Sequence, residues 1–170
     1  MLRDHLKENL DILFVGFNPS LLSGETGHHF ANPNNRFWKI LYSASITPRL
    51  YKPEEDWLLP EIRLGLTNIV ERPTRAADEI TKEEYSQGRV ALNEKIKTCR
   101  PLIVCYVGKG VYQQFSRKKE IPWGIQPEPM VAGTTDFVAP SSSGLVRMPL
   151  EEIVEIYKEL PGLVSRLREK

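Results

Sequence analysis

Short apolar runs separated by longer amphipathic stretches set the pattern of this chain. Asp11-Ile-Leu-Phe-Val15 ends at Gly16, a second run covers roughly Leu64 to Val70, Leu102 to Val107 ends at Gly108, and Thr135 to Ala139 ends at Pro140. The first and third are nearly continuous in β-branched and large apolar residues, as in strands covered on both faces of a parallel sheet. Helical spacing fills the intervals. Asn34 is placed to cap a helix through about Ser43, with Phe37, Ile40 and Leu41 on one face. Thr81-Lys-Glu-Glu84 fits a capping box, followed at helical spacing by Tyr85, Leu92, Ile96 and Cys99. A helix after Gly108 carries Val111, Tyr112 and Phe115, and a C-terminal stripe runs through Leu150, Ile153, Val154, Tyr157 and Leu160. Pro161-Gly162 is expected to break that last helix before a final charged turn.

Strand and helix in alternation predict an α/β fold: a three-layer αβα sandwich around a short, mainly parallel sheet with right-handed crossovers. No repeat, low-complexity tract or linker divides the chain, so residues 1–170 read as a single domain.

Composition narrows the function classes. With 23 Lys+Arg against 22 Asp+Glu, the net charge is +1, which argues against a protein coated in phosphate-binding cations but leaves room for a local basic face. Two cysteines, Cys99 and Cys105, cannot supply a four-cysteine zinc or iron–sulfur site, and their spacing is not that of a redox pair. No apolar run approaches the roughly 20 residues of a membrane span, and the charged segment Met1 to Asn9 is unlike a signal peptide. The expectation is a cytoplasmic protein without metal, cofactor or membrane partner.

In such sheets ligands collect beyond the carboxyl ends of the strands. The segments that follow those ends are rich in turns and small polar residues: Gly16-Phe17-Asn18-Pro19-Ser20, then Thr67-Asn68-Ile69-Val70-Glu71-Arg72-Pro73-Thr74, Gly108-Lys109, and Pro140-Ser141-Ser142-Ser143-Gly144-Leu145-Val146-Arg147. With Gly27 to Trp38, they offer amides (Asn18, Asn68), hydroxyls (Thr74, Ser141 to Ser143), imidazoles (His28, His29) and aromatic faces (Phe30, Trp38). A phosphate-cradling loop ending in Lys-Ser/Thr, a GxGxxG turn and a GxSxG elbow are all missing. Amides beside aromatic faces suit a pocket that stacks a nucleobase and hydrogen-bonds its edge.

Gly16-Phe-Asn-Pro-Ser20, His28-His-Phe30, Asn35-Arg-Phe-Trp38, Thr67-Asn-Ile-Val-Glu-Arg72 and Pro140-Ser-Ser-Ser-Gly-Leu145 together resemble the mismatch-specific uracil/thymine-DNA glycosylases, a branch of the uracil-DNA glycosylase superfamily. The resemblance spans roughly residues 10 to 160, in motif order. It implies hydrolysis of the N-glycosidic bond of uracil, and of thymine or damaged pyrimidines, mispaired with guanine in double-stranded DNA, by base flipping and without a cofactor. That reaction initiates base excision repair.

By the same resemblance Asn18 is the catalytic amide that positions the attacking water, and Phe30 stacks on the flipped pyrimidine. Phe17 offers its main-chain N–H to a base carbonyl, and Asn68 reads the base edge with an amide able to donate or accept. Thr74 belongs to the same pocket wall. His29 has two readings of equal weight: a donor to base or backbone, or a surface imidazole without a role. Leu145 is the wedge that fills the hole left by the flipped base, Gly144 lets the backbone approach the opposite guanine, and Ser142, Ser143 and Arg147 hold phosphates or the loop. Lys109 reaches a phosphate, whereas Arg117-Lys118-Lys119 reads as a solvated face. Ser20 stands where the family commonly has Gly. Its hydroxyl either narrows the pocket near position five of the pyrimidine or contacts the base, which leaves thymine excision open. The partner expected is G:U-containing duplex DNA bound by a monomer. Two other readings remain: a non-catalytic module for mismatched or abasic DNA, and a small hydrolase of free nucleosides.

Overall fold

A computed structural model describes residues 2–170. Five strands form one sheet in the order β2-β1-β3-β5-β4. Strands β1 (Ile12–Gly16), β2 (Leu64–Asn68), β3 (Ile103–Val107) and β5 (Thr135–Ala139) are parallel, and the two-residue β4 (Gly124–Ile125) pairs antiparallel with β5. Side-chain alternation along the strands builds two cores. Ile12 and Phe14 of β1, Ile103, Cys105 and Val107 of β3, and Phe137 and Ala139 of β5 face one layer. Leu13, Val15, Val104, Tyr106 and Val138 face the other. The first layer is α2 (Phe37–Ser43), a 3₁₀ helix at Pro53–Ile62, α5 (Leu150–Tyr157) and α6 (Glu159–Arg168); the second is α3 (Lys82–Cys99) and α4 (Lys109–Ser116). Two-sided burial is why the strands read as apolar runs. The architecture is the expected three-layer α/β sandwich.

Several boundaries differ from the sequence reading. The N-cap position of α2 is Arg36, not Asn34, and it makes no side-chain cap bond; the Phe37 N–H is taken by Asn35 Oδ1 at 3.0 Å. Pro161-Gly162 does not break the C-terminal helix. Pro161 lies in the first turn of α6, where its missing N–H costs no intrahelical bond, and the break falls at Lys158. A short helix α1 (Leu21–Thr26), the 3₁₀ helix and β4 carry too little periodicity to be anticipated.

The N-terminal segment covers the free edge of β2. His5 and Leu66 exchange main-chain hydrogen bonds in both directions, at 2.9 and 3.0 Å. Asp4 ties this strap down, accepting from Thr67 Oγ1 at 2.8 Å and pairing with Lys95 at 2.8 Å. An edge satisfied in this way offers no template to another strand.

Helix α3 packs against the chain just beyond β2 through a bare glycine. A Cβ on Gly88 would stand 2.1 Å from the Ile69 carbonyl oxygen, so helix and strand must separate to admit it. Gly88→Ala is therefore expected to destabilise by about 1–3 kcal/mol in denaturant unfolding, despite alanine's better helix propensity. An unchanged or higher midpoint contradicts this packing.

Candidate active site

The strand order places a switch point between β1 and β3, and the loops leaving the parallel carboxyl ends there enclose a cleft of about 650 Å³. Asn18, Phe30 and Asn68 share this cavity with Phe17, Ser20, His29, Thr74, Ser142, Ser143, Gly144 and Leu145.

Asn18 follows β1 in a turn, and its carboxamide has one orientation. Nδ2 donates to the Arg72 carbonyl at 2.7 Å and to Thr74 Oγ1 at 2.8 Å. A carbonyl only accepts, and the Thr74 hydroxyl spends its own hydrogen on the Ala76 carbonyl at 2.8 Å, so the atom facing both must be the NH₂. Both amide hydrogens are thereby used and Oδ1 is left as the acceptor. Thr74 is buried in the cavity wall, and its hydroxyl is engaged on both sides, by Asn18 and by the Ala76 carbonyl. The carbonyl of Arg72 is itself fixed, because the Arg72 guanidinium binds Glu84 through Nε (2.8 Å) and through its terminal nitrogen (3.0 Å) and also reaches the Glu79 carbonyl.

Phe30 lies face to face with Phe37 at 3.9 Å and 15°, which spends one face on packing and leaves the ring lining the cleft. Its backbone is left-handed, with φ of 51°, an unfavourable state for a bulky residue. Hydrogen bonds on both sides hold it there. The His29 N–H donates to Asp56 Oδ2 at 2.8 Å, and the Ala31 N–H donates to the buried Ser23 hydroxyl at 3.1 Å. Against Phe30 and Asn68 lies Gly16, where an added Cβ would come 2.6 Å from Asn68 Oδ1 and 3.8 Å from Phe30 Cζ. Glycine at this position is what lets the Asn68 amide and the ring converge.

His29 is a brace: of its two readings, the donor to the backbone fits its place and the surface imidazole does not. It is buried, and its Nε2 donates to the Arg3 carbonyl at 2.7 Å. Burial lowers its pKa, which favours the neutral ring. Asp56 lies beneath this turn with His28 Nδ1 at 3.2 Å and His5 Nε2 at 3.3 Å. Burial alone would raise its pKa, but the His5 ring, the His29 N–H and the His28 ring outweigh it and hold the carboxyl below its ordinary value. One ring nitrogen each of His5 and His29 and an Asp56 oxygen lie within 4.8 Å of one another. The bonds just described already occupy that carboxylate, so the cluster serves as a hydrogen-bonded anchor for the Phe30 turn.

Other expectations are redirected. The Ser20 hydroxyl caps α1 by accepting the Ser23 N–H at 3.1 Å, which gives a reason for serine there independent of the base. The Phe17 ring turns into the α4 core, its Cζ 2.4 Å from where a Gly110 Cβ would stand, leaving its main chain at the cleft. Trp38 is buried edge-on against Phe37 and offers no face to the cleft, and His28 pairs with Asp56. Lys109 also lies outside the lining; its ammonium sits 4.2 Å above the Trp123 ring. Arg147 is exposed and likewise outside it.

Leu145 is 93% exposed at the tip of the loop after β5. The loop beneath it is built: Ser143 N–H donates to Ser141 Oγ and Leu145 N–H to Ser143 Oγ, both at 3.2 Å. Arg36 and Arg75 also line the cavity, which has no carboxylate side chain among its lining residues. Sequence reasoning passed over both arginines, although Arg36 lies inside the quoted Asn35-Arg-Phe-Trp38 motif.

The uracil DNA glycosylase superfamily model matches residues 3–161. The chain belongs to the uracil DNA glycosylase superfamily. It is also similar to the solution NMR structure of a Methanosarcina acetivorans protein provisionally assigned as a uracil DNA glycosylase, with a TM-score of 0.58 and 22% identity over 94% of this chain and 96% of that one. At that identity the likeness establishes the shared fold.

The Arg72–Glu84 pair makes one pH-dependent prediction. The Arg72 hydrogen bonds hold the Glu84 carboxyl at about 2, below its ordinary 4.5. A depressed carboxylate stabilises the fold fully above its unfolded value and loses that contribution as pH falls through the folded one. Thermal unfolding of wild type and Glu84→Gln should therefore differ above pH 4.5 and converge towards pH 2. A difference that does not change with pH contradicts this.

Proposed function

We propose that the protein is a monofunctional uracil DNA glycosylase that extrudes uracil, preferentially opposite guanine, from duplex DNA and hydrolyses its N-glycosidic bond. The observation that carries the reading is the oriented Asn18 amide, its Oδ1 unspent, in one cavity with the Phe30 ring. Oδ1 accepts a hydrogen from a water and aims its oxygen at the sugar C1′. The water oxygen forms the new bond to C1′, and the electron pair of the broken C1′–N1 bond leaves with the base. Asn18 is no base, so the proton of the water passes to the departing base or to solvent. Catalysis rests on water orientation and on stabilising the leaving anion, to which a cleft lined by Arg75 and by no carboxylate side chain is suited.

Phe30 serves as the stacking plate, and the Asn68 amide reads the pyrimidine edge. Leu145, exposed where a core leucine would be hidden, enters the space the base vacates. Mispaired uracil costs less to unstack than a paired base, which supports the preference for G:U.

The test incubates labelled duplexes holding one G·U, A·U or G·T pair and cleaves the resulting abasic sites with alkali. Scission is expected from G·U first. No scission above a buffer control overturns the reading, and tight binding to an abasic duplex with no excision favours the non-catalytic module instead. Asn18→Ala should lower the single-turnover rate on the order of 100-fold with near-normal duplex binding, because the water loses its orientation. Thr74→Val should cost about tenfold, the worth of one buried hydrogen bond, while the fold persists. Wild-type rates in either variant remove that residue from the mechanism.

A further inference from the structure

We infer that Arg36 is a positioning residue that holds the wedge loop ready and couples it to the stacking plate. This rests on the glycosylase reading above. Arg36 grips the loop after β5 twice: its main-chain N–H donates to the Ser142 carbonyl at 2.9 Å, and its guanidinium donates to the Ser143 carbonyl at 3.2 Å. Gly144 completes the dock, for a Cβ there would lie 2.6 Å from the Asn34 carbonyl oxygen. Loop and turn therefore meet backbone to backbone immediately before Leu145. The wedge itself makes no such contact, being 93% exposed.

The same turn carries the plate. Residue 37 follows Arg36 directly, and its ring is the one on which Phe30 stacks. The Phe37 N–H is held by Asn35 Oδ1, so a shift of the turn moves both the plate support and the wedge platform. A lone apolar tip entering a base stack works only if its base does not yield, and Arg36 supplies that resistance. Its buried Nε has no partner among the described residues, a cost that a smaller apolar residue at this position would avoid.

The experiment is a double-mutant cycle on single-turnover excision from the G·U duplex, using wild type, Arg36→Ala, Leu145→Ala and the double variant. Arg36→Gln, which keeps one side-chain donor, guards against a folding defect, and thermal midpoints are recorded for all. In parallel, 2-aminopurine beside the target uracil reports unstacking. Arg36→Ala is expected to slow excision on the order of tenfold and to suppress the fluorescence rise while the duplex stays bound. In the Leu145→Ala background the same change should cost less than about twofold, because there is no wedge left to position. Arg36→Gln should fall between. Multiplicative losses in the double variant, a full fluorescence rise in Arg36→Ala, or no loss on Arg36→Ala overturn the inference. A wild type that excises no base overturns the glycosylase reading instead.

Discussion

An amide side chain is useful for holding a water only if its two ends are told apart, and in this protein that choice is made by the loop after β2. Arg72 offers a carbonyl and Thr74 a hydroxyl whose hydrogen is already given to Ala76. Both accept, so both Asn18 hydrogens are consumed and the oxygen is presented. The arrangement is cooperative: each bond in the chain Asn18–Thr74–Ala76 polarises the next. Its rigidity comes from farther out, through the forked Arg72–Glu84 pair at the start of α3. A helix whose capping box pairs Thr81 with Glu84 thereby sets the conformation of a side chain on a different strand loop.

The sheet makes this possible by bringing four carboxyl ends to one edge, and the same geometry places a strained residue in the cavity with the amide. Phe30 holds a left-handed backbone only because Asp56 and Ser23 capture the N–H groups on either side. Asp56 in turn has the His5 and His28 rings beside it and accepts the His29 main-chain N–H. Polar bonds here specify the shape of an aromatic surface, while the stack on Phe37 supplies the apolar support.

Much of this was legible in the chain itself. Strands covered on both faces announce themselves as apolar runs, and Thr81 with Glu84 marked the start of α3 correctly. The strand-end rule and the ordered motifs led to Asn18, Phe30, Asn68 and the loop after β5, but not to Arg36 or Arg75. What could not be read were the partners. A histidine's role depends on which oxygen it meets, and nothing near His29 in sequence points to Arg3 or Asp56. Thr74 does line the pocket as expected, but its bond to Asn18 was hidden because it spans 56 positions. Ser20 looked like a departure until α1, too short to show periodicity, supplied the N–H it caps. Lys109 fitted a phosphate contact from its place after β3, but an indole face competes for the ammonium.

Side-chain amide NMR of Asn18 tests the orientation most directly. With both hydrogens bonded inside the protein, the two Hδ2 resonances should be dispersed and should exchange with solvent far more slowly than those of an exposed asparagine, and Thr74→Val should release one of them. A pair of Asn18 signals at free-amide shifts, exchanging at the free-amide rate, contradicts the account at its root.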